Sequence, residues 1–119
     1  MSLDILPIRT VSVLNLRESW QARAARAKLH RSNAMYYLLA QNGTKRPKMP
    51  VAVILTRVAP RELDGDNLQG SFKSIRDGVA DYFGTDDRNP QIEWQYMQEK
   101  ANDYGVRIEI KELRATKTD

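Results

Sequence analysis

The stretch "MPVAVILTRVAP" occupies Met49–Pro60 and decides how the rest of the chain is read. Val51, Val53, Ile54 and Val58 are β-branched and favour a strand. The run does not alternate between apolar and polar residues, so it predicts a strand buried on both faces, inside a sheet. Pro50 and Pro60 bound it, where a missing backbone donor is tolerated. The neighbours of such a strand must cover it.

Upstream, "ESWQARAARAKLHRSNAMYYLLAQNG" (Glu18–Gly43) is rich in Ala, Leu, Arg and Lys and predicts a helix from about Ser19 to Gln41. Asn42-Gly43 supplies its stop. Trp20, Ala24, Ala27, Ala34 and Leu38 share one face, and Arg23, Arg26, His30 and Tyr37 another. Arg31 falls on the apolar face, where it either snorkels at the core edge or reaches toward a site. His30 is the only histidine and reads as a surface residue. Further upstream, "ILPIRTVSVLNL" predicts a strand around Ile8–Asn15.

Downstream, Leu68, Phe72, Ile75, Val79 and Phe83 step by three or four residues and predict one helix over Asn67–Phe83, capped by Asp66 or Asn67 and closed by Gly84. "QIEWQYMQ" and "GVRIEIKEL" alternate, and the short link through Asn102 to Gly105 predicts a hairpin. The resulting order is β-α-β-α-β-β. The fold class is α/β (α+β): a mixed sheet with helices mainly on one face. The 119 residues suit one domain, with a frayed tail from Arg114 to Asp119.

Composition narrows the function classes. Hydrophobic content of 41% and charged content of 29% read as a soluble globule. No run approaches the ~20 apolar residues of a membrane span, and no leader with a cleavage site opens the chain. Absent cysteine excludes disulfides, thiolate catalysis and Cys-ligated zinc, and fits a cytoplasmic location. The net charge of +4 is divided unequally: residues 1–58 carry +8 and residues 59–119 carry −4. The basic half suits a polyanion partner, or simply a solvated basic surface.

The acid gathers in a loop after the central strand. Asp64 and Asp66 are two apart, so in an extended segment both carboxylates point the same way, in phase with Glu62. Mg²⁺ takes such hard oxygen ligands, typically one or two carboxylates. The same pair also serves simply to turn chains and cap helices. An EF-hand is excluded, because its required glycine and glutamate positions hold Gln69 and Ile75. No Gly-Lys-Ser/Thr exists for a phosphate-binding loop. Gly70 lies in the helix between Asp66 and Lys73, where it either packs closely against a neighbour or leaves backbone open to a ligand.

"LDGDNLQGSFKSIRDGVADYFGTDD" (Leu63–Asp87) resembles the central motif of the RusA family of Holliday junction resolvases. The match runs through Arg61, then Asp64-Gly65-Asp66-Asn67-Leu68, a helix, and the pair Asp86-Asp87. "MPVAVILTRVAP" resembles the strand before that motif and "HRSNAMYYLL", more loosely, the preceding helix. The resemblance implies a RusA-like fold and a Mg²⁺-dependent endonuclease, with Mn²⁺ as a substitute, that cuts four-way DNA junctions as a homodimer. It implies no small-molecule cofactor and no membrane.

Carried over, the resemblance makes Asp64, Asp66 and either Asp86 or Asp87 the metal ligands, with Asp87 favoured. The family's catalytic lysine position holds Gly70 here, so Lys73, one turn later, takes that role or the chain is a non-catalytic DNA-binding or interaction module. Arg61, Arg23, Arg26, Lys28, Arg31, Lys45 and Arg46 become candidate DNA contacts. An unbroken helix over Asn67–Phe83 would be about 25 Å long. It would hold Asp66 and Asp87 apart, which points to a site shared between two subunits.

Overall fold

In a computed structural model, residues 5–10 and 19–113 are described. Helix α1 runs Trp20–Asn42, strand β1 Val51–Ala59, helix α2 Gly65–Ser71, helix α3 Lys73–Phe83, strand β2 Ile92–Lys100 and strand β3 Gly105–Glu112. The class is mixed α and β, as composition and periodicity predict.

β1 is the middle strand. It pairs with β2 in parallel, Val51 opposite Ile92 through Ala59 opposite Lys100. It pairs with β3 antiparallel, Val51 opposite Glu112 through Val58 opposite Gly105. Eight of its nine residues are buried, which accounts for the unbroken apolar run. Val51, Val53 and Leu55 join Leu68, Phe72, Ile75, Val79 and Tyr82 of the helices in the core. On the opposite face Ile54, Thr56, Met97 and Glu109 line an open depression.

The expected hairpin is not formed. β2 and β3 lie on opposite sides of β1, in the order β2-β1-β3. Residues 101–104 carry the chain over the end of β1, held by a 3.1 Å hydrogen bond from the Ala101 N–H to the Ala59 carbonyl. The hop covers two strand spacings, about 9.6 Å, well within reach of four residues.

The expected single helix is two. Phe72 (φ −98°, ψ 0°) ends α2 and begins α3, and its N–H bonds the Gln69 carbonyl at 3.1 Å. Ser71 donates its hydroxyl to the Leu68 carbonyl at 2.7 Å, a side-chain bond of the kind that bends helices. Asp64, not Asp66 or Asn67, caps α2 through a 3.0 Å bond from the Asn67 N–H.

α1 begins at its Ser19 cap, whose hydroxyl accepts from the Ala22 N–H, and ends at Gly43 with φ 62°. Its apolar face is buried only from the middle onward: Ala34 and Leu38 are in the core, whereas Trp20 is 73% exposed. α1 crosses α3 at Gly78, where a Cβ would overlap the Arg31 carbonyl and approach the Ala34 Cβ at 2.9 Å. His30 is buried, not a surface residue.

The expected first strand is not seen where it can be checked. Of Ile8–Asn15, residues 8–10 have no strand pairing, and 11–15 lie outside the described residues, as does the tail from Arg114. Among the described residues before α1, only Leu6 makes a bridge, with Val106, through hydrogen bonds of 2.8 and 2.9 Å. Among the described residues no helix is long and apolar enough to cross a membrane.

Candidate functional site

The acidic loop leaves β1 at Ala59 and is tied down at two points before α2. The Arg57 guanidinium, buried at the end of β1, donates to the Arg61 carbonyl and to the Thr10 hydroxyl. The Gln98 side-chain amide then pairs with the Leu63 main chain, accepting from its N–H and donating to its carbonyl, each at 2.8 Å. Asp64 follows directly. Its Oδ1 accepts from the N–H and the Nδ2 of Asn67 at 3.0 and 2.9 Å. Asp64, Asp66, Glu62 and Arg61 are all exposed.

A second cluster forms around the start of α3. After Gly84 (φ 72°) the chain doubles back along the helix, so that Asp87 lies beside its first turns. Lys73 Nζ is 3.1 Å from Asp87 Oδ2 and 3.1 Å from Asp77 Oδ1. Arg76 Nη2 is 3.3 Å from Asp87 Oδ2, and Arg76 Nη1 donates to the Tyr96 hydroxyl at 2.6 Å. The Arg76 guanidinium also stacks 4.8 Å from the Trp94 ring centroid, and the Trp94 indole donates to the Asp87 carbonyl at 2.9 Å. β2 thus holds Asp87 in place from below. Trp94 and Tyr96 are half-buried and packed on the core.

Partial burial opposes the charge on Lys73, but its hydrogen bonds to Asp77 and Asp87 outweigh this and raise its pKa. Burial raises the Tyr96 phenol against the influence of Arg76. Arg31 does not snorkel over the core; its Nε and Nη2 bind Asp81 at 2.6 and 2.8 Å. That bond holds the Asp81 carboxyl below its usual range. Arg31, Lys73, Arg76 and Arg88 line the cavity around this cluster. Asp77, Asp81, Asp86 and Asp87 line it too, so cations and carboxylates balance.

Asp86 and Asp87 are distinct. Asp86 is 61% exposed at its side chain and accepts from the Arg88 N–H at 2.8 Å, a turn contact that lowers its pKa. Asp87 is 11% exposed and faces the cations. Asp64 and Asp66 stand at the far end of α2, about 10 Å along its axis from Lys73. Among the described residues no three carboxylate or imidazole side chains converge as ligands for an ion.

The break at Phe72 and the return of the chain bring Asp87 to Lys73 within one chain. This shortens the 25 Å separation of Asp66 and Asp87 from which a subunit-shared site was expected, but leaves Asp66 about 10 Å along α2 from Lys73. Gly70 does not pack against a neighbour: a Cβ there would meet nothing within 4 Å. Arg23, Lys28 and Lys45 are exposed and Arg26 half-buried on the basic side. Arg46 is committed to α3, donating to the Tyr82 carbonyl with its guanidinium 5.4 Å from the Tyr82 ring centroid.

Sequence reading missed Gln98 and Arg76. Gln98 continues the inward phase of Ile92, Trp94 and Tyr96, and a polar residue in that phase was a readable signal. Compared with protein-family models, curated proteins and solved structures, the chain matches none.

Proposed function

We propose that the chain is a RusA-type, Mg²⁺-dependent DNA endonuclease that resolves four-way junctions as a homodimer in a bacterial or phage-infected cytoplasm. The observation that carries this reading is the Lys73 amine on Asp87. It joins two parts of the Leu63–Asp87 motif that lie fourteen residues apart in sequence, as expected of residues with a common task. Asp64 caps α2 and Asp66 lies in its first turn, so they are not the same-facing pair that an extended segment would give, but both are exposed hard donors of the kind Mg²⁺ takes. They would supply carboxylates to the ion, whereas Asp87, held by Lys73 and Arg76 at the other end of α2, is not gathered with them among the described residues. Bound there, Mg²⁺ would supply an activated water and charge stabilisation at the phosphate.

The chain's own residues have separate roles in this reading. Lys73, charged and 63% exposed, stabilises negative charge growing on the phosphate. Arg76 and Trp94 orient Asp87. Gln98 fixes the backbone that presents Asp64. Arg61 and the basic face of α1 with Arg23, Arg26 and Lys28 hold the DNA backbone, which supplies affinity without reading sequence.

Gly70 favours a second reading, a non-catalytic DNA-binding module, because it leaves the helix without a side chain one turn before Lys73. Cleavage of a labelled four-way junction, with and without Mg²⁺, beside linear duplex and Asp66→Asn, tests both. Symmetric metal-dependent cuts abolished by Asp66→Asn support the endonuclease. Tight junction binding with no cut in Mg²⁺ or Mn²⁺ sinks it in favour of the module.

A further inference from the structure

Three arginines gather where the central strand ends. Arg57 is the third residue from the end of β1 and only 7% exposed. Its Nε donates to the Thr10 hydroxyl at 3.1 Å and its Nη1 to the Arg61 carbonyl. Its Nη2 has no partner among the described residues, yet is not sealed from solvent. Arg9 adjoins Thr10, and its guanidinium lies 4.5 Å from the Tyr104 ring centroid. Tyr104 leads into Gly105, the partner of Val58 on β1. Burial lowers the Arg57 pKa; the Tyr104 hydroxyl opposes this and the Arg9 charge adds to it, so both stand close to the guanidinium. Arg9 and Arg61 are exposed.

No acid answers these three. The ion pairs among the described residues use Arg31, Lys73, Arg76, Arg88 and Arg107, and none uses Arg9, Arg57 or Arg61. Glu62 and Asp103 are near in sequence, but both are exposed and outside those pairs. A buried charge is ordinarily paired. A hydroxyl and a carbonyl satisfy the Arg57 donors and leave its charge whole.

We infer that this cluster seats one phosphate of the nucleic-acid backbone. The inference rests on the DNA-binding part of the function proposed above and names where the strand is held. The chemistry matches the anion. A guanidinium is a planar fork that fits phosphate oxygens, and Thr10 with the Arg61 carbonyl fixes the fork of Arg57 in place. Contact with a ring gives the Arg9 N–H groups no oxygen acceptor, so they remain available to one. Arg61 is three residues before Asp64, at most about 11 Å of chain. A strand held here therefore passes the acidic loop.

Arg57 also ties that loop, so replacing it would confound binding with folding. Arg9→Gln and Arg61→Gln, singly and together, remove exposed charges and leave the tie intact. Lys111→Gln, exposed at the opposite end of the sheet beside Ala52, controls for the loss of a charge anywhere. Inorganic phosphate is titrated into ¹⁵N-labelled protein, and a labelled four-way junction and a linear duplex are bound at several salt concentrations.

In wild type, phosphate shifts the Arg57 Nε–H and the Thr10 and Arg61 amides. The double variant loses those shifts at an unchanged Tm. It binds both DNAs about tenfold more weakly, and the slope of log K against log salt flattens by about 0.9, the share of one phosphate. Lys111→Gln keeps the shifts and binds DNA nearly as wild type. Phosphate shifts that persist in the double variant, or that never reach Arg57, would overturn the seat. So would a loss of DNA binding in Lys111→Gln equal to that in either single arginine variant. Shifts at Arg57 with DNA bound and cut by the double variant as by wild type would replace the seat by a site for free phosphate and leave the endonuclease standing. Weakened DNA binding in the double variant, with no cleavage by wild type in any metal, would support the seat and remove the endonuclease.

Discussion

The side-chain amide of Gln98 makes two 2.8 Å hydrogen bonds with the main chain of Leu63, one in each direction. A single side chain on β2 thereby satisfies both backbone groups of the residue before Asp64, as a neighbouring strand would. Gln98→Ala leaves a partly buried donor and acceptor unpaired, which costs about 1–3 kcal/mol. Gln98→Glu keeps the bond from the Leu63 N–H but loses the donor to its carbonyl, so its loss is intermediate. Urea denaturation midpoints read the order wild type, Glu, Ala. Equal midpoints for all three would mean the clamp contributes nothing.

Asp87 and Lys73 predict unequal penalties. The Lys73 side chain is 63% exposed, and such a pair contributes about 0–1 kcal/mol. Asp87 is mostly covered and is shared by Arg76, itself only 23% exposed. Asp87→Asn therefore destabilises by about 1–3 kcal/mol, and Lys73→Met by less than about 1 kcal/mol. Unfolding curves of the two variants measured side by side give the comparison. A larger loss in Lys73→Met contradicts the described geometry.

Two glycines predict opposite signs for the same substitution. Gly70→Ala gains about 1 kcal/mol of helix propensity with open space around the new methyl. Gly78→Ala gains the same propensity but drives a Cβ into α1, an overpacking cost of about 1–3 kcal/mol. Thermal unfolding should raise Tm for the first and lower it for the second.

His30 predicts a pH effect near neutrality. Burial, and then the charge of Arg26, lower its pKa in the folded state. The unfolded chain, with an ordinary histidine pKa of 6.5, then binds a proton that the folded chain refuses. Stability is full above that value and is lost as pH falls from about 6.5 toward the lower folded pKa. Asp81 and Asp86, whose pKa values are depressed, act in a separate window below about 4. Urea unfolding at pH 7.5 and 5.5 should show a drop for wild type that His30→Gln removes. A drop of equal size in His30→Gln would assign it elsewhere.

The central strand was legible because burial on both faces leaves an unbroken apolar run, and α1 because its ends carry caps. The Phe72 break was not. Leu68, Phe72, Ile75, Val79 and Phe83 face the core whether the helix is continuous or tightens for one residue, so periodicity cannot register it. The side of β1 on which β3 lies was hidden for a different reason. Four linking residues can turn back beside β2 or hop across β1, and alternation within each strand is the same in both. His30 was misread because a helix face carrying Arg23 and Arg26 looks solvated throughout, while burial changes along α1 with depth. Asp64 and Asp66 stood out as a pair of carboxylates, but the partners of Asp87 depended on a chain reversal after Gly84 that spacing alone does not encode.

The contact at Gly78 fixes where α1 crosses α3. α1 rests on α3 where the Arg31 carbonyl meets a residue without a side chain. Arg23 lies eight residues away, about 12 Å along the helix. A tilt of about 10° at the crossing moves Arg23 by about 2 Å over that arm, enough to open or close its distance to Lys73. The spacing of Arg23 from Lys73 is therefore set at a crossing that neither residue touches.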